Sequence, residues 1–348
     1  MNGAIYLAEA HEQPDALRRL AMQESEFAAV ARSIGGRGRF GVRLVGHGSS
    51  DNAASFGVYA FGLLSGLTAF RDSISLSVYY GAKRDVSPSV VIALSQSGRT
   101  PDVIEYVRCN RARGAFTVAI TNDPSAELAT AADAVLPLAA GPERAVAATK
   151  TYVNQLAALA LLAAACAGRS AEVADGLRRA ADLLEQTLDA LSEAAANVAT
   201  SFAFVGRMFV IGRGIEFATA REIALKLTET CRVAAEPLTA TDLAHGPIAA
   251  LDRLFPVWTI ASGDESLPLV LDAARRARET GARLIASGNA ANEIAGAAYR
   301  LPVPHPPSPI LAPLLSVVPG QLFAAALARA KGLDPDQPEG LTKVTLAQ

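Results

Sequence analysis

The chain has 348 residues, of which 51 % are hydrophobic, and a formal net charge of −2 at neutral pH. This length suits two domains with separate apolar cores, and the near-neutral charge excludes a basic surface for nucleic acid or anionic membranes. The apolar run 156–167 is shorter than the roughly 20 residues that span a bilayer. The first residues lack the pattern of a signal peptide, and three scattered cysteines are typical of reduced core thiols. We therefore expect a cytoplasmic protein.

The elements predicted along the chain alternate between helices and strands, which indicates an α/β protein. The predicted segments are an N-terminal helical segment of one or two helices (1–34), a first α/β domain (35–168), a linker helix (169–197), a second α/β domain (198–330) and an extended C-terminal tail (331–348). The strands of the first domain are predicted near 42–46, 75–79, 90–94, 116–121 and 134–137. This alternation predicts two tandem, doubly wound parallel sheets.

A loop rich in hydroxyls follows the apolar run 90–94, which reads as a buried strand. The loop offers Ser95, Gln96, Ser97 and Thr100, and Pro101 then opens a helix. Free backbone N–H groups and the helix dipole favour an anion at such a helix start. The loop has no lysine and is not a P-loop, so it suits a phosphate monoester better than a nucleoside triphosphate. The alternative is an ordinary serine-rich turn with a helix cap.

A second glycine-containing turn lies at the end of the first predicted strand, where Gly46-His47-Gly48 precedes two serines. Asp51 stands where a dinucleotide fingerprint has its third glycine, so a dehydrogenase is the weakest reading of the doubly wound pattern. Carboxyl ends of parallel strands share one edge of a sheet. Ser50 can therefore join the phosphate loop, although plain turn formation explains it equally well.

The second half of the chain repeats the first at a nearly constant separation of about 166 residues. Gly46-His47-Gly48 recurs as Gly212-Arg213-Gly214, and Asn122 recurs as Asn289. The hydroxyl-rich loop is not repeated: the second copy reads Ser262-Gly263-Asp264-Glu265-Ser266. Its two carboxylates repel a phosphate, so we expect only the first domain to bind one.

Candidates for proton transfer come from the second half and from the tail. Lys226 and Glu229 share a helix face, either as a solvated pair or as part of a site. His245 precedes Gly-Pro, and a carboxylate with an imidazole is suited to moving protons on a sugar. Lys343 is an ordinary solvated lysine unless an apolar pocket desolvates it, in which case its amine can form an imine with a carbonyl.

These motifs together resemble the paired SIS (sugar isomerase) domains of the isomerase half of glucosamine-6-phosphate synthases and of stand-alone SIS-type glucosamine-6-phosphate deaminases. The resemblance covers nearly the whole chain. It rests on the loop 95–100 and on the motifs Val146-Ala147-Ala148-Thr149-Lys150, Leu225-Lys226-Leu227-Thr228-Glu229, Leu243-Ala244-His245-Gly246-Pro247 and Asp336-Gln337-Pro338.

The resemblance implies a role for each candidate residue. Phosphate and sugar contacts are implied for Ser50, Ser95, Gln96, Ser97, Thr100 and Val146. Glu229 matches the carboxylate that moves a proton between C1 and C2, with Lys226 as a supporting lysine. His245 matches a ring-opening histidine that comes from the partner subunit, and Lys343 matches a lysine that forms an imine with the open-chain sugar.

Two departures from the family pattern affect the expected activity. Ala148 replaces a serine that contacts the ligand, and the nucleophilic cysteine of a glutaminase domain has no counterpart, since position 2 is Asn2. The resemblance therefore implies conversion of glucosamine 6-phosphate to fructose 6-phosphate and ammonia, without cofactor or metal, in a homodimer that shares its active sites.

The sequence also allows other functions. They are deamination or deglycation of another 6-phospho ketose amine, such as galactosamine 6-phosphate or a fructosyl amino acid 6-phosphate, and a non-catalytic phosphosugar-binding regulator.

Overall fold

The computed structural model of the chain describes residues 3–343. Two five-stranded sheets form its framework, and every strand pair in them is parallel. The strands are β1 (Val42–Val45), β2 (Ala69–Arg71), β3 (Val90–Ser95), β4 (Phe116–Thr121), β5 (Ala134–Pro137), β6 (Arg207–Gly212), β7 (Ala234–Thr239), β8 (Pro256–Ile260), β9 (Arg283–Gly288) and β10 (Tyr299–Pro302).

The two sheets share one strand order. The first runs β2-β1-β3-β4-β5, and the second runs β7-β6-β8-β9-β10. The central strands β3 and β8 are buried along their whole length, as expected for parallel strands that are covered on both faces. The predicted fold class, two doubly wound parallel α/β sheets, is confirmed.

Helices connect the strands and cover the sheets. They are α1 (Ala4–His11), α2 (Gln13–Ala21), α3 (Glu24–Ile34), α4 (Ser49–Ser65), α5 (Ile74–Val78), α6 (Pro101–Ala112), α7 (Glu127–Ala131), α8 (Lys150–Cys166), α9 (Ser170–Thr200), α10 (Glu216–Cys231), α11 (Leu267–Glu279), α12 (Ala312–Ser316) and α13 (Val318–Ala330). The region predicted to hold one or two N-terminal helices holds three.

The chain divides into two compact units. The N-unit contains Asp15–Glu143, Lys150–Arg178 and residues 342–343 of the tail. The C-unit contains residues 3–14, Arg144–Thr149 and Arg179–Leu341. Each unit encloses one of the sheets and has its own apolar core, which includes Val91 and Leu128 in the N-unit and Val257 and Leu284 in the C-unit.

One predicted strand of the first domain was wrong. The sequence predicts a strand near residues 75–79, but Ile74–Val78 form helix α5. Within this helix Ile74 and Ser77 are the buried residues, and their spacing of three suits a helix rather than a strand. The edge strand is instead β2, which pairs with β1.

Tail residues fix the first helix of the C-unit. The carboxylate of Asp336 accepts hydrogen bonds from the backbone N–H groups of Gly3 at 3.1 Å and Tyr6 at 2.7 Å. These amides lie at the start of α1, where backbone N–H groups have no acceptor within the helix. The Asp-Gln-Pro motif of the tail therefore has a structural function in this unit.

One stretch of the described residues, Pro309–Ala330, is long and apolar enough to cross a membrane. Its most apolar window is 94 % buried inside the protein. A helix that is covered by protein on all sides is typical of the core of a large domain.

Candidate functional site

The hydroxyl-rich loop lies at the carboxyl end of β3 and leads into α6. Gly98 adopts a φ of +63°, and a Cβ atom there would lie 2.6 Å from the Cβ of Ala126. Glycine is therefore required at this position for both conformation and space. Pro101 follows in the first turn of the helix, where its missing N–H group costs nothing.

Hydroxyl groups gather inside this loop. The Ser95 hydroxyl lies 3.2 Å from the Thr100 hydroxyl and accepts a hydrogen bond from the Gly98 N–H group. The Ser97 hydroxyl accepts a bond from the Arg99 N–H group at 3.3 Å. No side chain among the described residues caps the start of α6. The arrangement offers hydroxyl donors and a positive helix end to an anion.

Gln96 and Ser50 complete the predicted set in the N-unit. The Gln96 backbone carbonyl accepts a bond from the Asn122 N–H group at 3.1 Å, which ties the loop to the next strand. Ser50 is buried in the first turn of α4, directly after β1. Because β1 and β3 are neighbouring parallel strands, Ser50 and the loop lie at the same edge of the sheet.

Sequence reasoning missed Gln155, which holds Ser50 in place. The Gln155 amide nitrogen donates a hydrogen bond of 2.8 Å to the Ser50 hydroxyl. Gln155 is fully enclosed on α8, a helix that is otherwise mostly alanine and leucine. Polar residues at its start are an unusual feature of an apolar helix, and this was the available sequence signal.

The tail lysine also belongs to the N-unit. The Lys343 amine donates a hydrogen bond of 2.9 Å to the carboxylate of Glu143, and the lysine side chain is 25 % exposed. The Glu143 side chain is fully buried and also accepts bonds from the N–H and hydroxyl groups of Thr151. Sequence reasoning missed Glu143 as well.

The C-unit contains a compact charged group on α10. The Lys226 amine lies 2.5 Å from a carboxylate oxygen of Glu229 and 3.4 Å from one of Glu222. Lys226 is 1 % exposed and Glu222 is fully buried, whereas Glu229 is 23 % exposed. The predicted contact between Lys226 and Glu229 is therefore present, and the lysine is enclosed rather than solvated. Glu229 is the member of the group that a ligand can reach.

His245 and Val146 also lie in the C-unit. His245 ends the 3-10 turn Asp242–His245 and is exposed. Gly246 follows with a φ of +134°, a conformation that only glycine adopts readily. The Val146 N–H group donates a 3.0 Å hydrogen bond to the backbone carbonyl of Asp336.

The second repeat carries a buried carboxylate where the first repeat carries a serine. Glu216 occupies the position in α10 that Ser50 occupies in α4, and its carboxylate accepts hydrogen bonds from Ser262 and, at 2.5 Å, from Thr219. Burial raises the pKa of Glu216, and the two hydroxyl bonds oppose this rise. Asp264, which we expect to repel a phosphate, accepts a hydrogen bond from the hydroxyl of Ser266 in its own turn.

The cysteines do not take part in these groups. Burial raises the pKa of the Cys231 thiol to about 11, and the thiol donates to the backbone carbonyl of Ala324. A thiol with a raised pKa is a poor nucleophile. Residues 3–343 contain no cluster of three or more histidine, cysteine or acidic side chains that could hold a metal ion.

Relatives of known name cover almost the whole chain. A glutamine–fructose-6-phosphate aminotransferase (isomerizing) from Methanothermobacter thermautotrophicus is 34 % identical over 97 % of this chain and 56 % of its own length. The enzyme of the same name from Aeropyrum pernix is 33 % identical over 98 % of this chain and 57 % of its own length. The chain thus spans a little over half the length of the curated relatives it matches.

Solved structures show the same architecture. A Silicibacter pomeroyi protein classed as a phosphosugar isomerase superposes with a TM-score of 0.84 at 30 % identity, over 97 % of this chain and all of that one. The C-terminal domain of glucosamine-fructose-6-phosphate aminotransferase from Francisella tularensis superposes with a TM-score of 0.87 at 25 % identity, over 96 % and 98 % of the two chains. Glucosamine-6-phosphate deaminase from Thermotoga maritima, at 20 % identity and a TM-score of 0.82 over 99 % and 100 %, shares the fold.

The family itself follows from a direct match. The model of the SIS domain matches residues 42–165 and 201–330, which contain the two sheets described above. Together these matches cover well over half of the chain. The protein therefore belongs to the SIS domain family, with two SIS regions homologous to the isomerase half of glutamine–fructose-6-phosphate aminotransferases.

Proposed function

We propose that the protein is an aldose–ketose isomerase and deaminase that converts glucosamine 6-phosphate and water to fructose 6-phosphate and ammonia. The observation that carries this proposal is the group on α10, in which the partly exposed Glu229 carboxylate lies beside a buried lysine. A carboxylate that is reachable by a ligand and held by a fixed cation is suited to moving a proton between neighbouring carbon atoms.

Phosphate binding is assigned to the loop of the N-unit. The Ser95, Ser97 and Thr100 hydroxyls and the start of α6 bind the phosphate, with Ser50 and Gln96 as further contacts. The resemblance adds Val146 as a sugar contact and places an alanine at 148, where relatives of the synthase type have a serine. The phosphate is held in both the ground state and the transition state, so these contacts contribute mainly to affinity.

The chemical step is assigned to Glu229 and Lys343. In the open-chain sugar, Glu229 takes the proton from C2 and returns it to C1, while a proton passes from the amine nitrogen to the C1 oxygen. C1 thereby becomes an alcohol, and the amine-bearing carbon becomes a ketimine. The neutral amine of Lys343 attacks this carbon, ammonia leaves, and water then hydrolyses the lysine imine to release fructose 6-phosphate. The sum is one water consumed and one ammonia released.

Ring opening precedes this step and is assigned to His245 from the partner subunit of a homodimer. Lys226 balances the charge of Glu229. The reaction needs no cofactor or metal. A cytoplasmic location is part of this proposal.

Two alternative functions require either the same residues or only the residues of the loop. Another 6-phosphosugar amine, such as galactosamine 6-phosphate or a fructosyl amino acid 6-phosphate, would bind the same phosphate loop. A non-catalytic regulator would need the loop but not Glu229, so the enclosed group on α10 favours an enzyme.

Ammonia release across a panel of 6-phosphosugar amines tests the proposal. We expect glucosamine 6-phosphate to give the highest kcat/KM, and Glu229→Gln to lower kcat by about 10²–10⁴-fold while leaving KM nearly unchanged. Glu279→Gln is the matched control, since Glu279 is also a helix carboxylate paired with a cation of its own helix, Arg275.

Three outcomes would contradict the proposal. Full kcat in Glu229→Gln excludes the proton-transfer role of this residue. If another amine of the panel gives the highest activity, that amine is the substrate in place of glucosamine 6-phosphate. Tight phosphosugar binding without any ammonia release or isomerisation identifies a regulator.

A further inference from the structure

We propose that Glu143 is a positioning residue that docks the amine of Lys343 and exchanges a proton with it during imine formation. This inference rests on the proposed function, because it assumes that Lys343 is the residue that forms the imine. Glu143 lies outside every motif on which the resemblance was based.

The carboxylate of Glu143 is itself firmly fixed. Its side chain is fully buried, and its two oxygens accept hydrogen bonds from the Thr151 N–H group at 3.1 Å and the Thr151 hydroxyl at 2.6 Å. Thr151 lies in the first turn of α8, where the helix dipole favours a negative charge. A buried carboxylate held in this way has a defined position for a partner cation.

Lys343 supplies that cation from the tail. Leu341 and Thr342 are exposed, whereas the Lys343 amine lies 2.9 Å from the buried Glu143 oxygen. Ordering a lysine side chain costs conformational entropy. A charge-assisted hydrogen bond to a fixed carboxylate offsets this cost. The contact with Glu143 therefore holds the Lys343 amine in a defined position.

The same contact provides a path for the proton that imine formation must move. The ammonium of Lys343 passes one proton to Glu143, and the nitrogen lone pair attacks the carbonyl carbon of the keto sugar. The new carbinolamine loses its oxygen as water when Glu143 returns the proton. One ammonium and one ketone thus give one protonated imine and one water, and Glu143 is unchanged at the end.

Borohydride trapping with fructose 6-phosphate, followed by peptide mass spectrometry of Lys343, tests this inference. We expect Glu143→Gln to slow adduct formation at Lys343 by about tenfold or more and to lower kcat by a similar factor with KM little changed. Glu143→Asp keeps the carboxylate and should restore part of both rates. Lys343→Arg should form no adduct.

A matched control exists in the same unit. Asp133 also accepts bonds from the N–H group (2.9 Å) and the hydroxyl (2.8 Å) of one threonine, Thr117, and from a cation, Arg111 (2.7 Å). It precedes β5, at the amino ends of the strands and away from the loop. Asp133→Asn should leave trapping and kcat unchanged.

The double variant Glu143→Gln/Lys343→Arg separates a positioning role from a structural one. If Glu143 acts through Lys343, the double variant loses no more kcat than Lys343→Arg alone. Independent, additive losses would overturn the inference. Equal trapping rates in the wild type and Glu143→Gln would overturn it as well.

The outcomes also separate this inference from the proposed function. Ammonia release by a wild type that traps no sugar at Lys343 overturns the inference and leaves the deaminase standing. If the wild type acts on no sugar, acylation of Lys343 by a succinimidyl ester still tests the contact. Faster acylation in Glu143→Gln than in the wild type supports docking by Glu143, and equal rates overturn it.

Discussion

The hydrogen bond between Gln155 and Ser50 determines which way the serine hydroxyl can donate. Because the Gln155 amide donates to the Ser50 oxygen, the hydroxyl hydrogen of Ser50 is directed elsewhere. Ser50 lies at the sheet edge that carries the phosphate loop. We propose that Gln155 thereby leaves the Ser50 hydroxyl available to donate to a ligand oxygen.

Substitution of Gln155 tests this at the level of one residue. We expect Gln155→Leu to raise KM for the phosphosugar about three- to tenfold with kcat little changed, because the hydroxyl loses its orientation. Gln155→Glu should raise KM further, since a carboxylate beside the loop repels the phosphate. Steady-state kinetics measure both variants.

The control for this test is another buried amide of the N-unit. Asn110 lies on α6 and donates to the Tyr106 carbonyl at 2.8 Å. Asn110→Leu should change the melting temperature without raising KM. An unchanged KM in Gln155→Glu would show that the side chain at 155 does not influence the phosphate.

Residues differ in how far the sequence could identify them. The Lys226–Glu229 contact follows from helical spacing alone, because the two residues are three positions apart. Gln155 and Ser50 are 105 positions apart, and Lys343 and Glu143 are 200 apart. Such partners meet only through the tertiary fold, so no local pattern indicates them.

At the scale of elements, Asp72 joins three parts of the N-unit. Its buried carboxylate lies directly after β2 and accepts hydrogen bonds from Arg43 on β1, from Arg84 and from Tyr106 on α6. Burial raises the pKa of this carboxyl, but the hydrogen bonds outweigh burial and lower it from 3.8 to about 2. The folded protein therefore favours the ionised form more than the unfolded chain does.

This lowered pKa predicts a loss of stability in acid. A group with a depressed folded-state pKa stabilises the fold above its unfolded value and loses this effect as the pH falls towards its folded value. We expect Asp72 to contribute about 2 kcal/mol at neutral pH and to lose this contribution between pH 3.8 and about 2.

Urea unfolding of the wild type and of Asp72→Asn measures this contribution. The difference between their unfolding free energies should shrink by about 2 kcal/mol as the pH falls through that window. Other carboxylates titrate in both proteins and cancel in the difference. A difference that stays constant with pH would show that Asp72 does not titrate in the window.

The elements themselves were mostly predictable, and the failures have a physical cause. Strands such as β3 are continuous apolar runs, which only a buried parallel strand or a core helix explains. Helix α5 is five residues long and begins at Ile74, so it is too short for a helical period to dominate over the apparent alternation. Its conformation is determined by what it packs against, since it contacts α6.

At the scale of the whole molecule, the two sheets share one topology but differ in the side chains at equivalent strand ends. The first copy keeps hydroxyls at Ser50 and Ser95, and the second has Glu216 bonded to Ser262. In the second copy, the Glu216 carboxylate lies at the position of Ser50. Its charge opposes the binding of an anionic ligand there. The hydroxyl-rich loop thus belongs to the first copy, and α10 of the second copy carries Lys226 and Glu229.

The exposed position of His245 leads to a prediction about assembly. A histidine on the surface of one chain can serve catalysis in a neighbouring chain, and two-fold dimers make such contacts reciprocal. We expect dimers in which His245 of each chain acts on sugar bound by the other. His245→Asn and Ser97→Asp should each inactivate their own homodimer, the first by loss of the imidazole and the second by repulsion of the phosphate.

Hybrid dimers of these two inactive chains distinguish the arrangements. Co-expression with two different affinity tags isolates dimers that contain one His245→Asn chain and one Ser97→Asp chain. If His245 acts across the interface, one of the two sites in each hybrid carries both substitutions and the other carries none, so about half of the wild-type activity should return. If His245 acts within its own chain, each site carries one substitution and the hybrid stays inactive. Differently tagged wild-type chains, isolated in the same way, set the full activity, and sedimentation verifies that the hybrids are dimers.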